Sequence, residues 1–70
     1  MRKHVITNSI RRLRSEHADM TQQELADCVG VTRQTINAIE LEKYSPSLEV
    51  AFKIAAVFKM PLEKVFQYRD

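Results

Sequence analysis

Apolar residues recur along this chain in short bursts at helical spacing, separated by polar and turn-forming residues. The clearest burst lies in 21–40, TQQELADCVGVTRQTINAIE. Leu25, Ala26 and Val29 fall on one face of a helix. Thr21, followed three residues later by Glu24, forms a capping box in which each side chain satisfies an orphan donor at the helix start. Gly30 stops the run and suits a left-handed turn position that a Cβ would strain. Val31 is apolar, and Thr32 reads as the N-cap of a second helix, Arg33–Glu40. There Ile36 and Ile39 point one way, while Arg33, Gln34, Asn37 and Ala38 point another. The pattern predicts two short helices within 22–41 joined by a tight turn, the second anchored by its isoleucines with a polar face outward.

The flanks are read the same way. Residues 4–7, HVIT, contain adjacent Val5 and Ile6 and are either a short strand or a disordered lead-in. Thr7 or Asn8 can cap a helix over 9–17, whose thin apolar stripe is Ile10 and Leu13, with Arg11, Arg12 and Arg14 outside it. Met20 precedes the capping box as a hydrophobic staple residue. Pro46 disfavours helix at Ser45, and Ser47 is the N-cap of a helix over 48–58. Leu48, Val50, Ala51, Phe52, Ile54, Ala55, Ala56, Val57 and Phe58 cover most of its circumference, with Lys53 the polar break. That composition predicts a buried central helix with a face to spare for a partner. Lys59 and Met60 form a turn, and Pro61 fits the first position of a last helix over 61–66, with Leu62, Val65 and Phe66 on its apolar side.

Seventy residues make one domain, 1–70, near the lower limit for a self-supporting core. The net charge of +2 is too small to argue for nucleic acid by itself. Arg2, Lys3, Arg11, Arg12 and Arg14 nevertheless precede any acid, and this basic beginning is either a phosphate-touching surface or a solvated face. Cys28 is alone, so no intramolecular disulfide forms, which fits a reducing cytoplasm. No apolar run reaches the length of a membrane span, and the start lacks a signal-peptide core. His4 and His17 have no cysteine or carboxylate at ligand spacing, and Ser45 and Ser47 have no base near them. Gly30 is the single glycine, so there is no phosphate-cradling loop, and Glu40 and Glu42 read as solvated turn residues. The sequence points to no enzyme, no metal, no cofactor and no small-molecule ligand.

The polar face of the second helix has a physical use. A helix fits the DNA major groove, where Arg suits the O6 and N7 of guanine and Gln or Asn the N6 and N7 of adenine. The segment 21–40, with PSLEVAFKIAAVF and MPLEKVF after it, resembles the lambda-repressor-like (XRE) helix-turn-helix family. It is most similar to short dimeric bacterial regulators of the cytolysin-repressor type, whose chains end in a similar FQ-aromatic tail. The resemblance implies an all-α, five-helix domain on a palindromic operator, with a two-stranded β-ribbon joining 4–7 to the tail 67–70. The chain departs from the family where Leu41 and Glu42 replace a frequent Asn-Gly pair. A non-glycine residue must then take the turn, at a cost of about 1 kcal/mol if it is left-handed.

The expected function is double-stranded DNA binding by a homodimeric transcription regulator, a repressor acting in the cytoplasm and on the nucleoid when bound. Arg33, Gln34, Thr35, Asn37 and Ala38 are expected to read bases, and Thr21, Gln22, Thr32, Lys43 and Tyr44 to hold phosphates. Tyr44 can instead pack against the next helix. Because one short helix reads few base pairs, a dimer is expected, with Val5, Ile6, Val65, Phe66 and Tyr68 near its interface. The alternative for those five is closure of the monomer's own core. An antitoxin or phage immunity regulator differs in biology more than physics. A protein-interaction module that had lost DNA binding would carry acids on the second helix, where this chain has Arg33, Gln34 and Asn37.

Overall fold

A computed structural model describes residues 5–69, and the side chain of Val5 is not among the described atoms. Arg2, Lys3 and His4 lie outside the described residues. The elements run β1 (Val5–Asn8), α1 (Ile10–Glu16), α2 (Gln22–Val29), α3 (Arg33–Glu40), α4 (Leu48–Val57), α5 (Leu62–Val65) and β2 (Phe66–Arg69). The two ends of the chain meet as the expected ribbon. β1 and β2 are antiparallel, with Ile6 opposite Tyr68 and Asn8 opposite Phe66.

One core holds the helices together. Ile10 and Leu13 of α1, Leu25, Ala26 and Val29 of α2, and Ile36 and Ile39 of α3 meet Ile54, Ala55, Phe58 and Val65. Burying each of the larger side chains contributes about 1.5–3 kcal/mol. The ribbon is marginal alone at this length, and it is tied to the core by two links. Asn8 Oδ1 accepts from the Ile10 N–H at 3.1 Å while its Nδ2 donates to the Ile39 carbonyl at 2.9 Å. The Ser9 N–H donates to the Val65 carbonyl at 2.9 Å. Ser9 holds the N-cap position of α1 without a side-chain bond, so Asn8 serves that helix start from one residue earlier.

The helix ends follow the local sequence closely. The capping box is complete, with Glu24 N–H to Thr21 Oγ1 at 3.0 Å and Thr21 N–H to Glu24 Oε1 at 2.8 Å. Met20 packs against the core beneath it. Thr32 and Ser47 cap α3 and α4 through the N–H groups of Thr35 and Val50. Gly30 is left-handed at φ 78°, and an added Cβ would meet nothing within 4 Å, so the requirement is one of backbone conformation alone. Glu42 takes up the other turn at φ 63°, as expected once glycine is absent there. Ala18 and Asp19 are both left-handed as well, which no glycine in the sequence foretold.

Two expectations are corrected. α4 is not buried all round: Ala51, Ile54, Ala55 and Phe58 face the core, whereas Leu48 is 67% and Phe52 54% exposed. α4 packs chiefly against α2 and α5, and the side that carries Leu48 and Phe52 is left open. Pro61 is extended at ψ 152° and precedes α5 rather than opening it. The helix is one turn long because the chain passes directly into β2 at Phe66.

Candidate nucleic-acid interface

Ile36 and Ile39 are almost fully buried and set the rotation of α3. Arg33 and Gln34 are consequently exposed, and Thr35, Asn37 and Ala38 half-buried. Among the described residues Arg33 and Gln34 have no hydrogen-bond or ion-pair partner. The Thr35 and Thr32 hydroxyls lie 3.0 Å apart, so both belong to the cap that starts the helix. Lys43 and Tyr44 are exposed just beyond the end of α3. An open cleft between α1 and the starts of α2 and α3 is lined by Arg11, Thr21, Gln22, Gln23 and Arg33, among others.

The far end of α3 is built differently. Glu40 was expected to be a solvated turn residue and Arg14 to lie on the outer side of its helix. Instead Arg14 Nε lies 2.7 Å from Glu40 Oε2, and the two side chains are only 15% and 7% exposed. Arg14 Nη2 donates to Glu40 Oε1 at 3.1 Å, and Nη1 to the Met20 carbonyl at 2.8 Å. Gln22 Nε2 in turn donates to Glu40 Oε1 and to Asn37 Oδ1, each at 3.1 Å. Removing one partner of such an enclosed pair is strongly destabilising, because it leaves the other charge uncompensated. The network also changes what Gln22 can offer. Both protons of its amide are used within the protein, so its remaining donor for an anion is the backbone N–H in the first turn of α2.

The residues expected at a dimer interface divide. Ile6 is 40% and Tyr68 67% exposed, and with Leu62, Phe66 and Gln67 they line a shallow, mainly apolar groove beside the ribbon. Val65 is corrected: it is fully buried within the protomer's own core, since its helical position turns it toward Ile10 and its neighbours, and it has no surface to offer. The Val5 side chain lies outside the described residues. Cys28 is exposed on α2. Among the described residues no helix is long and apolar enough to cross a membrane.

The helix-turn-helix family model matches residues 10–65, which spans all five helices. This chain belongs to the lambda-repressor-like helix-turn-helix family. A similar protein is an HTH-type transcriptional regulator of Methanocaldococcus jannaschii, 49% identical over 63 residues, covering 90% of this chain and 94% of that one. The HTH-type transcriptional regulator YgzD of Bacillus subtilis is 46% identical over 59 residues, 84% of this chain and 88% of YgzD. The transcriptional repressor RstR of the cryptic phage CTXphi in Vibrio cholerae is 34% identical over 61 residues, 87% of this chain and 54% of RstR. As a family member the chain is a helix-turn-helix transcriptional regulator, and α2 and α3 are its helix-turn-helix.

Proposed function

We propose that this regulator is a sequence-specific DNA-binding repressor that works as a homodimer on a palindromic operator. The observation that carries the reading is the exposed polar face of α3, held outward by two buried isoleucines beside the start of α2. Arg33 and Gln34 reach base edges from the first turn of α3, with Asn37 and Ala38 one turn on and Thr35 between. Thr21, Thr32, Lys43, Tyr44 and the backbone N–H of Gln22 hold phosphates on either side and set the register. Two copies present α3 to successive major grooves about 34 Å apart. Ile6, Phe66 and Tyr68 are the surfaces through which the copies meet, because they are apolar and accessible at the ribbon. The bound dimer acts by occupying a promoter, in the cytoplasm and on the nucleoid. The similarity to a phage repressor supports this direction of control.

Selection of random duplex DNA against the purified protein, at two salt concentrations, tests the reading. A recovered palindrome with half-sites about one turn apart is the expected result. Weak enrichment with steep salt dependence would reduce the interaction to phosphate attraction and overturn it. Sedimentation with and without the recovered duplex tests the dimer, which a single-chain mass at micromolar concentration contradicts.

A further inference from the structure

We infer that Arg14 and Glu40, acting through Gln22, set the polarity of the Asn37 carboxamide, so that Asn37 meets a base edge as a hydrogen-bond donor; this rests on α3 being the recognition helix. A carboxamide has a donor end and an acceptor end of nearly the same shape, and ordinarily nothing but its neighbours decides which way it points. Here the neighbours form a chain whose first member admits one choice. The guanidinium of Arg14 only donates and the carboxylate of Glu40 only accepts, and they are bidentate at 2.7 and 3.1 Å. The Gln22 atom 3.1 Å from Glu40 Oε1 must therefore be its nitrogen, since an oxygen there would set two acceptors against each other. That nitrogen has one proton left, which it gives to Asn37 across 3.1 Å. The receiving atom must be Oδ1, because a nitrogen would set two donors face to face. Asn37 Nδ2 is left with both of its protons and no acceptor among the described residues.

The consequence concerns which bases Asn37 tolerates. An asparagine free to turn suits adenine, to which it gives one hydrogen bond and from which it takes another. In this protein the oxygen is already bonded toward α2, and the outward group is the donor. Acceptors on the major-groove edge are N7 of either purine, O6 of guanine and O4 of thymine, whereas cytosine presents only its N4 amino donor. Asn37 accordingly selects by about tenfold against cytosine as the base it faces on the contacted strand, the order expected of one good contact. Gln22, Glu40 and Arg14 are positioning residues: they touch no base, yet they decide which atom of Asn37 does.

Two readouts test this, one without DNA. In NMR spectra of the free protein, both side-chain amide protons of Gln22 exchange slowly with solvent, while those of Asn37 exchange at the rate of an open amide. Fast exchange of both Gln22 protons overturns the inference. The second readout is duplex selection with Asn37→Asp, which keeps the shape, still accepts from Gln22 and replaces the outward donor by an acceptor. The preference at one base pair then moves toward cytosine or adenine N6 while the remaining positions keep theirs. Glu40→Gln removes the charge that orients the chain, and preference at that same base pair broadens. If circular dichroism shows that Glu40→Gln does not fold, Asn37→Asp and the exchange rates still decide. A motif that is unchanged at every position in Asn37→Asp overturns the inference while leaving the repressor reading intact. No motif from the unsubstituted protein overturns both.

Discussion

At the start of α3, Arg33 and Gln34 stand exposed with no partner among the described residues, whereas Asn37 and Glu40, one and two turns further on, are bonded to side chains from α1 and α2. If α3 reads bases as proposed, the same helix carries two kinds of recognition surface. Long, unheld side chains adapt to a base edge but give up rotamer freedom on binding, about 0.5–1.5 kcal/mol each. A held side chain has already given up that freedom during folding, so it binds more cheaply and rejects a mismatched edge more firmly. On that reading the turn that carries Asn37 and Glu40 is the stiffer part of the surface. The first turn supplies reach, and the last supplies constraint and fixes α3 to α1.

The largest effect is expected at the constrained end. Glu40→Ala leaves Arg14 enclosed without its carboxylate and should cost about 3–5 kcal/mol of stability, read by urea unfolding. A loss below about 1 kcal/mol would mean that the pair is screened like a surface one. Arg33→Ala should do the reverse, changing stability by less than about 0.5 kcal/mol but weakening operator binding by about 1–3 kcal/mol with relaxed preference at one base pair. Equal weakening on every sequence would move Arg33 from the base-reading group to the phosphate group. Lys43→Ala should weaken all duplexes alike and reduce the slope of log affinity against log salt by about 1. An unchanged slope would remove Lys43 from the phosphate contacts. The smallest pair of effects compares the turns that close α2 and α3. Gly30→Ala should destabilise by about 1 kcal/mol, and Glu42→Gly should stabilise by about 0.5 kcal/mol, because both positions are left-handed. Thermal unfolding of the two variants reads both signs at once, and shifts of the same sign would contradict the backbone explanation.

The parts of the fold legible in the sequence are those decided within a few residues. The capping box at Thr21 and Glu24, the caps at Thr32 and Ser47, and the left-handed Gly30 depend on neighbours three or four positions away. The exposed face of α3 was legible for the same reason, since Ile36 and Ile39 fix its rotation at helical spacing. The open side of α4 was not, because apolar composition does not say how many neighbours a helix finds. Val65 was misplaced because an apolar residue beside a ribbon suits either a core or an interface, and only packing separates the two.

By itself the sequence determined five helices, the tight turn between α2 and α3 and an outward polar face rich in donors, because each follows from local periodicity and turn chemistry. It also carried the family resemblance from which the ribbon was expected. Only the tertiary structure decided that Arg14 and Glu40, 26 residues apart in sequence, are partners, and that Gln22 and Asn37 join them. The physical reason is that hydrogen-bond polarity passes through space, from a charge on α1 to an amide on α3, along a path that exists only once three helices have packed.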